Sequence, residues 1–183
     1  MGRLHQFEYK REGRLDENLE ISPGLPPVLE WYEFFLSHNA GKRLGSEKCK
    51  KIRSFLANNN ESLHEINEQF VLSHADFRPA NIMVKKGSFQ AIFDWEFCLS
   101  GPKYLDIGQF FRYKELFSIK SKTEFINGYN EVANKPVKNN WMKMAKIMDL
   151  ANLLCFLDNK IEKPELFAEM KKLIQKTLER YSV

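Results

Sequence analysis

The stretch Val71-Leu72-Ser73-His74-Ala75-Asp76-Phe77-Arg78-Pro79-Ala80-Asn81-Ile82-Met83-Val84, followed by Ala91-Ile92-Phe93-Asp94-Trp95-Glu96, decides the reading of this 183-residue chain. An apolar run ends at His74, a polar loop carries Asp76 and Asn81, and apolar alternation resumes at Ile82 and Val84. Lys86-Gly87-Ser88 then turns the chain back. The pattern predicts a strand, a loop and an antiparallel hairpin. The return strand, Gln90 to Phe93, ends on Asp94, so one amide and two carboxylates stand at neighbouring strand ends.

Such a set suits phosphoryl transfer. That reaction needs a carboxylate to orient and deprotonate an attacking hydroxyl, and oxygen ligands to hold magnesium on the phosphates of a nucleotide. Asp76 fits the first task, as catalytic base, and Asn81 with Asp94 fits the second, as metal ligands. The step from Asp76 to Asn81 lets one loop place base and ligand on one side, and the hairpin carries Asp94 back to them. Taken singly, each of the three reads as a turn former, because Asp and Asn bond their own backbone in loops. The signal lies in the combination.

These residues resemble the catalytic core of the aminoglycoside phosphotransferase and choline kinase family, relatives of the protein kinases. His74-x-Asp76-x-x-x-x-Asn81 is similar to the family's catalytic loop, and Ile92-Phe93-Asp94-Trp95-Glu96 to its metal-binding segment. Gly101-Pro102 and Asp106-Ile107-Gly108 resemble the continuation, in which an aspartate at the start of the next helix braces the catalytic loop; the resemblance thus gives Asp106 a structural role. It gives His74 one as well, its ring bonding backbone or buttressing the metal segment. Glu96, two residues past Asp94 and on the same side of an extended segment, and Arg78 are further candidates for contacting substrate or a second cation. Ala75 stands where the family usually has glycine, and Arg78 precedes Pro79 where another residue is common. What the resemblance implies is a protein-kinase-like fold, ATP as co-substrate, Mg2+ as cofactor and a small-molecule hydroxyl acceptor.

An apolar content of 43% with 13% aromatic fits a globular protein with a sizeable core. A formal charge of +4, with lysines scattered over helical faces, does not mark a nucleic-acid binder. Cys49, Cys98 and Cys155 are odd in number, far apart and without CxxC spacing, which argues against a disulfide framework or a zinc site. No apolar run reaches transmembrane length, and the first residues lack a hydrophobic signal core. A cytoplasmic protein with no membrane partner is expected.

Helical periodicity organises the rest. Residues 1 to 12, with Leu4 and Phe7, predict a short amphipathic helix. Pro26-Pro27 opens a helix with Val28, Trp31, Tyr32, Phe35 and Leu36 on one face, which Asn39-Ala40-Gly41 ends. Ser46 is a candidate cap for a second, with Cys49, Ile52, Phe55 and Leu56 inward. A short helix carries Leu63 and Ile66. After the hairpin, Pro102 starts a helix bearing Leu105, Phe110 and Phe111. Another presents Phe125, Ile126, Tyr129, Val132 and Ala133. The longest spans Asn140 to Asp158, and Pro164 begins the last. The expected class is α+β and mostly helical: one domain over residues 1–183, the C-terminal lobe of a protein-kinase-like fold whose small antiparallel hairpin carries the catalytic loop.

Kinases grip nucleotide phosphates with a glycine-rich strand turn and a lysine held by a helical glutamate, both from the N-terminal lobe. The sequence shows neither. In the family, a pair like Leu4-His5 closes the helix between the lobes, so the resemblance implies that the N-terminal nucleotide lobe is absent from this chain. Gly41-Lys42-Arg43-Leu44-Gly45 lacks the spacing of a phosphate loop and reads as an interhelical turn. The isolated chain is expected to bind ATP weakly, and to expose an apolar face covered by self-association or by a separate N-terminal lobe. Two other functions accommodate the same residues: a non-catalytic binding remnant, and a metal-dependent hydrolase using His74, Asp76 and Asp94 with water as nucleophile. For the acceptor, Trp31, Tyr32 and Trp141 read as core rather than as a cation-binding box, and Glu30, Glu33 and Glu115 would suit a polycation only if they converged.

Overall fold

The computed structural model describes residues 1–22 and 26–182. The chain opens with a 3-10 turn at Leu4–Gln6 and three short strands, β1 (Glu8–Tyr9), β2 (Gly13–Leu15) and β3 (Ile21–Ser22). The amphipathic helix expected over residues 1 to 12 is therefore not formed. His5 turns inward while Phe7 stays exposed, and the Phe7 carbonyl accepts from the Leu72 N–H at 2.8 Å, so a sheet edge offers this segment better backbone partners than a two-residue apolar face does.

Four helices follow: α1 (Val28–Leu36), α2 (Asn39–Leu44), α3 (Ser46–Asn58) and α4 (Asn60–Ile66). Asn39-Ala40-Gly41 opens α2 instead of merely ending α1. Asp158 explains why: its Oδ1 accepts the Ala40 N–H at 3.0 Å, satisfying a donor that a helix start leaves free. Arg43 donates to the Leu157 and Asn159 carbonyls and to Glu162, so the glycine-flanked basic stretch ties helices together.

Next come β4 (Phe70–Ser73), the hairpin β5 (Ile82–Lys85) and β6 (Ser88–Ile92), and β7 (Leu99–Pro102). Lys86 and Gly87 both have positive φ, 51° and 76°, the conformation of a two-residue hairpin turn. One five-stranded antiparallel sheet has the order β1-β4-β7-β2-β3, and β5-β6 stands apart from it. The sheet is thus larger than the single hairpin and feeding strand expected. Pro102 closes β7, and the helix it was expected to start begins two residues later.

The remaining helices are α5 (Tyr104–Phe110), α6 (Ile119–Val132), α7 (Trp141–Leu157) and α8 (Pro164–Tyr181). Helix α7 is the centre of the core. Met144, Ala145, Ile147, Met148, Leu150, Ala151, Leu153, Leu154 and Leu157 are buried almost all the way round, because α1, α2, α4, α5 and α8 all pack on it. It also holds α5 in place. Lys146 Nζ donates to the Phe111 and Arg112 carbonyls, both at 2.7 Å, at the end of α5 where carbonyls lack intrahelical partners. Burial pushes that ammonium down to about 8. Arg112 Nη2 donates to Asp149 Oδ1 at 2.7 Å and its Nε spans both carboxylate oxygens.

Candidate active site

Strands β4 and β7 are adjacent, with Ser73 opposite Leu99, so everything from His74 to Cys98 is one excursion whose two ends the sheet ties together. The excursion carries the sequence-predicted residues. Its first half is the loop His74 to Arg78 and a 3-10 turn, Pro79–Asn81; its second is the hairpin and a 3-10 turn, Trp95–Phe97.

His74 sits at the joint between the halves and is fully buried. Its Nε2–H donates to the Phe93 carbonyl at 2.7 Å, and its Nδ1 accepts the Asp76 N–H at 3.2 Å. Each ring nitrogen is engaged by backbone, so the imidazole is a strut and has no nitrogen free for a metal. The ring of Trp95 covers it at 4.7 Å.

Asp76 is one-fifth exposed at its side chain. Its Oδ2 accepts from Asn81 Nδ2 at 2.8 Å and from Arg78 Nε at 3.1 Å. Oδ1 accepts no hydrogen bond from the described residues and is the open oxygen. Asn81 is 4% exposed; its Nδ2 also donates to the Asp76 carbonyl at 2.9 Å, which leaves Asn81 Oδ1 without a donor among the described residues. The Phe93 N–H donates to the Asn81 carbonyl at 2.9 Å, extending the hairpin ladder by one bond. Asp94, the next residue, therefore leaves the ladder beside Asn81. It does so in the left-handed region, φ 61° and ψ 57°, with its side chain exposed. Loop and hairpin thus bring Asp76 and Asn81 into contact and return the backbone to Asn81 one residue before Asp94.

Glu96 departs from expectation. The left-handed turn at Asp94 and the 3-10 turn after it replace the extended segment that would have put both carboxylates on one side, and Glu96 is exposed on that turn. Arg78 is drawn to Asp76.

Asp106, in the first turn of α5, is fully buried, and its carboxylate gathers three donors. Oδ2 accepts the His74 N–H at 2.9 Å and His5 Nε2–H at 3.1 Å; Oδ1 accepts the Ala75 N–H at 2.8 Å. His5 Nδ1 in turn accepts from the Tyr129 hydroxyl at 2.8 Å. Three N–H donors offset part of the cost of taking this side chain out of water. Ala75 has φ 61°, a conformation that costs an L-residue roughly 1–2 kcal/mol and explains why glycine suits this place.

Two residues were missed in the sequence. Gln109 is buried, with Nε2 donating to the Ala75 carbonyl at 2.6 Å and Oε1 accepting the Phe77 N–H at 2.8 Å. His5, which the sequence offered only as half of the Leu4-His5 pair, is part of the Asp106 brace. For Gln109 the available signal was a polar residue three after Asp106, on the same helical face and inside an apolar run. The acceptor-binding groups do not assemble: Glu33 pairs with Arg53, Glu115 lies 4.0 Å from Lys176, Tyr32 bonds the Ile147 carbonyl, and Trp141 packs on Phe111.

The family described as "Phosphotransferase enzyme family" (APH) matches residues 1–145, most of the chain. The chain belongs to that phosphotransferase family. No curated protein sequence matches it. Among solved structures, this phosphotransferase-family chain is similar to choline kinase LicA from Streptococcus pneumoniae, at 17% identity and a TM-score of 0.64, over 89% of this chain and 58% of that one. Two proteins assigned as fructosamine-3-kinases are also similar. That of Thermobifida fusca has 15% identity and a TM-score of 0.57, over 95% of this chain and 59% of its own. That of Haemophilus somnus has 22% identity and a TM-score of 0.55, over 97% and 60%. These likenesses establish a shared fold, and the chain spans about three-fifths of the length of the solved structures it matches.

Proposed function

We propose that the chain is the C-terminal, catalytic lobe of an ATP-dependent phosphotransferase that acts in the cytoplasm on a hydroxyl of a small molecule. One observation carries the reading: Asn81 Nδ2 donates to Asp76 Oδ2, which leaves Asp76 Oδ1 and Asn81 Oδ1 without a donor among the described residues, on the loop to which the hairpin returns one residue before Asp94. Asp76 Oδ1 receives the proton of the acceptor hydroxyl while Arg78 and Asn81 hold Oδ2 in place. The hydroxyl oxygen bonds to the γ-phosphorus of ATP, the bond from that phosphorus to the ADP oxygen breaks, and the proton stays on Asp76.

Asn81 Oδ1 and the Asp94 carboxylate are the groups that would hold Mg2+. Both are hard oxygen donors, and one or two such protein ligands suffice for an ion that keeps waters and phosphate oxygens around it. Bound there, the ion would offset charge on the nucleotide phosphates. His74, Asp106 and Gln109 do no chemistry in this scheme; they fix the loop. Glu96 remains the proposed contact to substrate or a second cation, and Arg78 acts through Asp76.

The alternative of a hydrolase that ligates metal through His74 loses its ligand, because backbone occupies both ring nitrogens. A binding remnant finds support in the apolar hairpin, where Met83, Val84 and Phe89 are exposed. Replacement Asp76→Asn, in a version joined to a nucleotide lobe, separates the two surviving readings. Transfer from ATP to choline or a fructosamine, the acceptors in the names of structural relatives, should fall about 10²–10⁴-fold with the fold intact. Unchanged turnover discards Asp76 as base, and no turnover in either protein favours the remnant.

A further inference from the structure

The Gln109 side chain closes a ring with the backbone on both sides of Asp76. The Ala75 carbonyl and the Phe77 N–H that it bonds belong to the peptide planes before and after Asp76. Those planes are rigid, so the only soft torsions between them are the φ and ψ of Asp76 itself. One buried amide thus sets the backbone of the residue whose carboxylate reacts. Reversing the amide would put N–H against N–H and carbonyl against carbonyl, so a single orientation serves.

Asp106, one turn earlier on α5, takes the N–H groups of His74 and Ala75. Ala75 is therefore gripped at its N–H by one side chain and at its carbonyl by the other, and it is the residue held at φ 61°. A left-handed L-residue persists only where its surroundings over-determine it. Asp106 alone grips one side of Ala75; Gln109 supplies the other and continues past Asp76.

We propose that Gln109 is a positioning residue for Asp76, clamping both flanking peptide groups and thereby holding Ala75 in the left-handed conformation. The inference rests on the reading of Asp76 as the base, but its geometric part needs no substrate to be tested. Gln109→Met keeps the shape and removes both bonds. By amide hydrogen exchange on the full chain, Phe77 should exchange about tenfold faster or more, the factor expected for two net hydrogen bonds, while amides of β4 keep their protection. The side-chain amide resonance of Asn81, which donates to Asp76, should move toward its position in Asp76→Ala.

Introducing Ala75→Gly removes the strain, so in that background Gln109→Met should raise exchange by a clearly smaller factor. If Gln109→Met does not fold, Gln109→Glu retains the acceptor for Phe77 and loses the donor to Ala75, and its exchange should lie between the two. Unaltered Phe77 exchange and Asn81 resonance overturn the clamp. An equal increment with Ala or Gly at position 75 overturns the link to the left-handed residue. Should Asp76→Asn leave turnover intact while these exchange results hold, the assignment of the base fails and the clamp stands.

Discussion

His5 lies beneath Asp106 with its protonation pattern set by its partners. A carboxylate only accepts, so Nε2 carries the hydrogen, and Nδ1 takes the Tyr129 hydroxyl. Burial lowers the pKa of this imidazole below the ordinary 6.5, against the opposing pull of Asp106. The unfolded chain then binds a proton that the folded chain refuses. Stability is therefore full above 6.5 and declines as pH falls through 6.5 toward the lower folded value, by at most about 1.4 kcal/mol per pH unit. Urea unfolding at stepped pH should show this decline, and His5→Gln should be less stable at pH 7.5 yet flatter in acid; equal slopes would remove His5 from the account. At this scale the sequence singled out the candidate reacting groups and was silent about the side chains that hold their loop. Asp76, Asn81 and Asp94 declare themselves because loop carboxylates and amides at hairpin ends are few and their spacing is local. His5 and Gln109 act through contacts far along the chain, and a lone histidine or glutamine carries no mark of its distant partner.

Helix α5 connects that support to the core. It is short, and its position rests on how closely it approaches α7. A Cβ at Gly108 would stand 2.4 Å from the Ala145 carbonyl oxygen and 3.2 Å from Asp149 Cβ, so no larger residue fits without separating the helices. Gly108→Ala should cost about 1–3 kcal/mol in denaturant unfolding, as overpacking does. Because Asp106 and Gln109 flank that position, it should also speed exchange at Ala75 and Phe77. Gly128, in α6, has nothing within 4 Å of its Cβ position, and there alanine should stabilise by about 0.5–1 kcal/mol. A loss at Gly128 as large as that at Gly108 would mean that helix packing is not the cause. Elements of this kind were legible where periodicity ran long: α1, α3, α7 and α8 follow their apolar patterns. The strands β1, β2, β3 and β7 were not. They are two to four residues long, β2 and β7 contain glycine or proline, and their stability comes from their partners in the sheet, β4 beside β1 and β7, and β7 and β3 beside β2, which no local pattern reveals.

Across the whole molecule, Asp76 and the side chains that fix its loop face the helical core, whereas the β5-β6 hairpin faces outward. Strands β5 and β6 join no larger sheet, and a two-stranded ribbon is marginal in water by itself. Its root is held by the His74 and Asn81 bonds to Phe93, but Met83, Val84 and Phe89 are 45%, 59% and 62% exposed, and Phe93 and Phe97 are also open. Apolar surface grouped in this way calls for a cover. Nucleotide affinity should reflect the same imbalance, since in the proposed site Asn81 and Asp94 would engage phosphates only through a cation and no glycine-rich turn or paired lysine is present in the 183 residues to grip them directly. Calorimetry on this polypeptide should give Mg-ATP binding far weaker than micromolar. An apolar dye should bind the hairpin and lose most of its fluorescence in Phe89→Lys, a change at an exposed position that leaves the thermal midpoint within a degree or two of its starting value. Submicromolar nucleotide binding would mean that the site is complete without a second grip on the phosphates, and dye binding indifferent to Phe89→Lys would place the exposed apolar face elsewhere on the molecule.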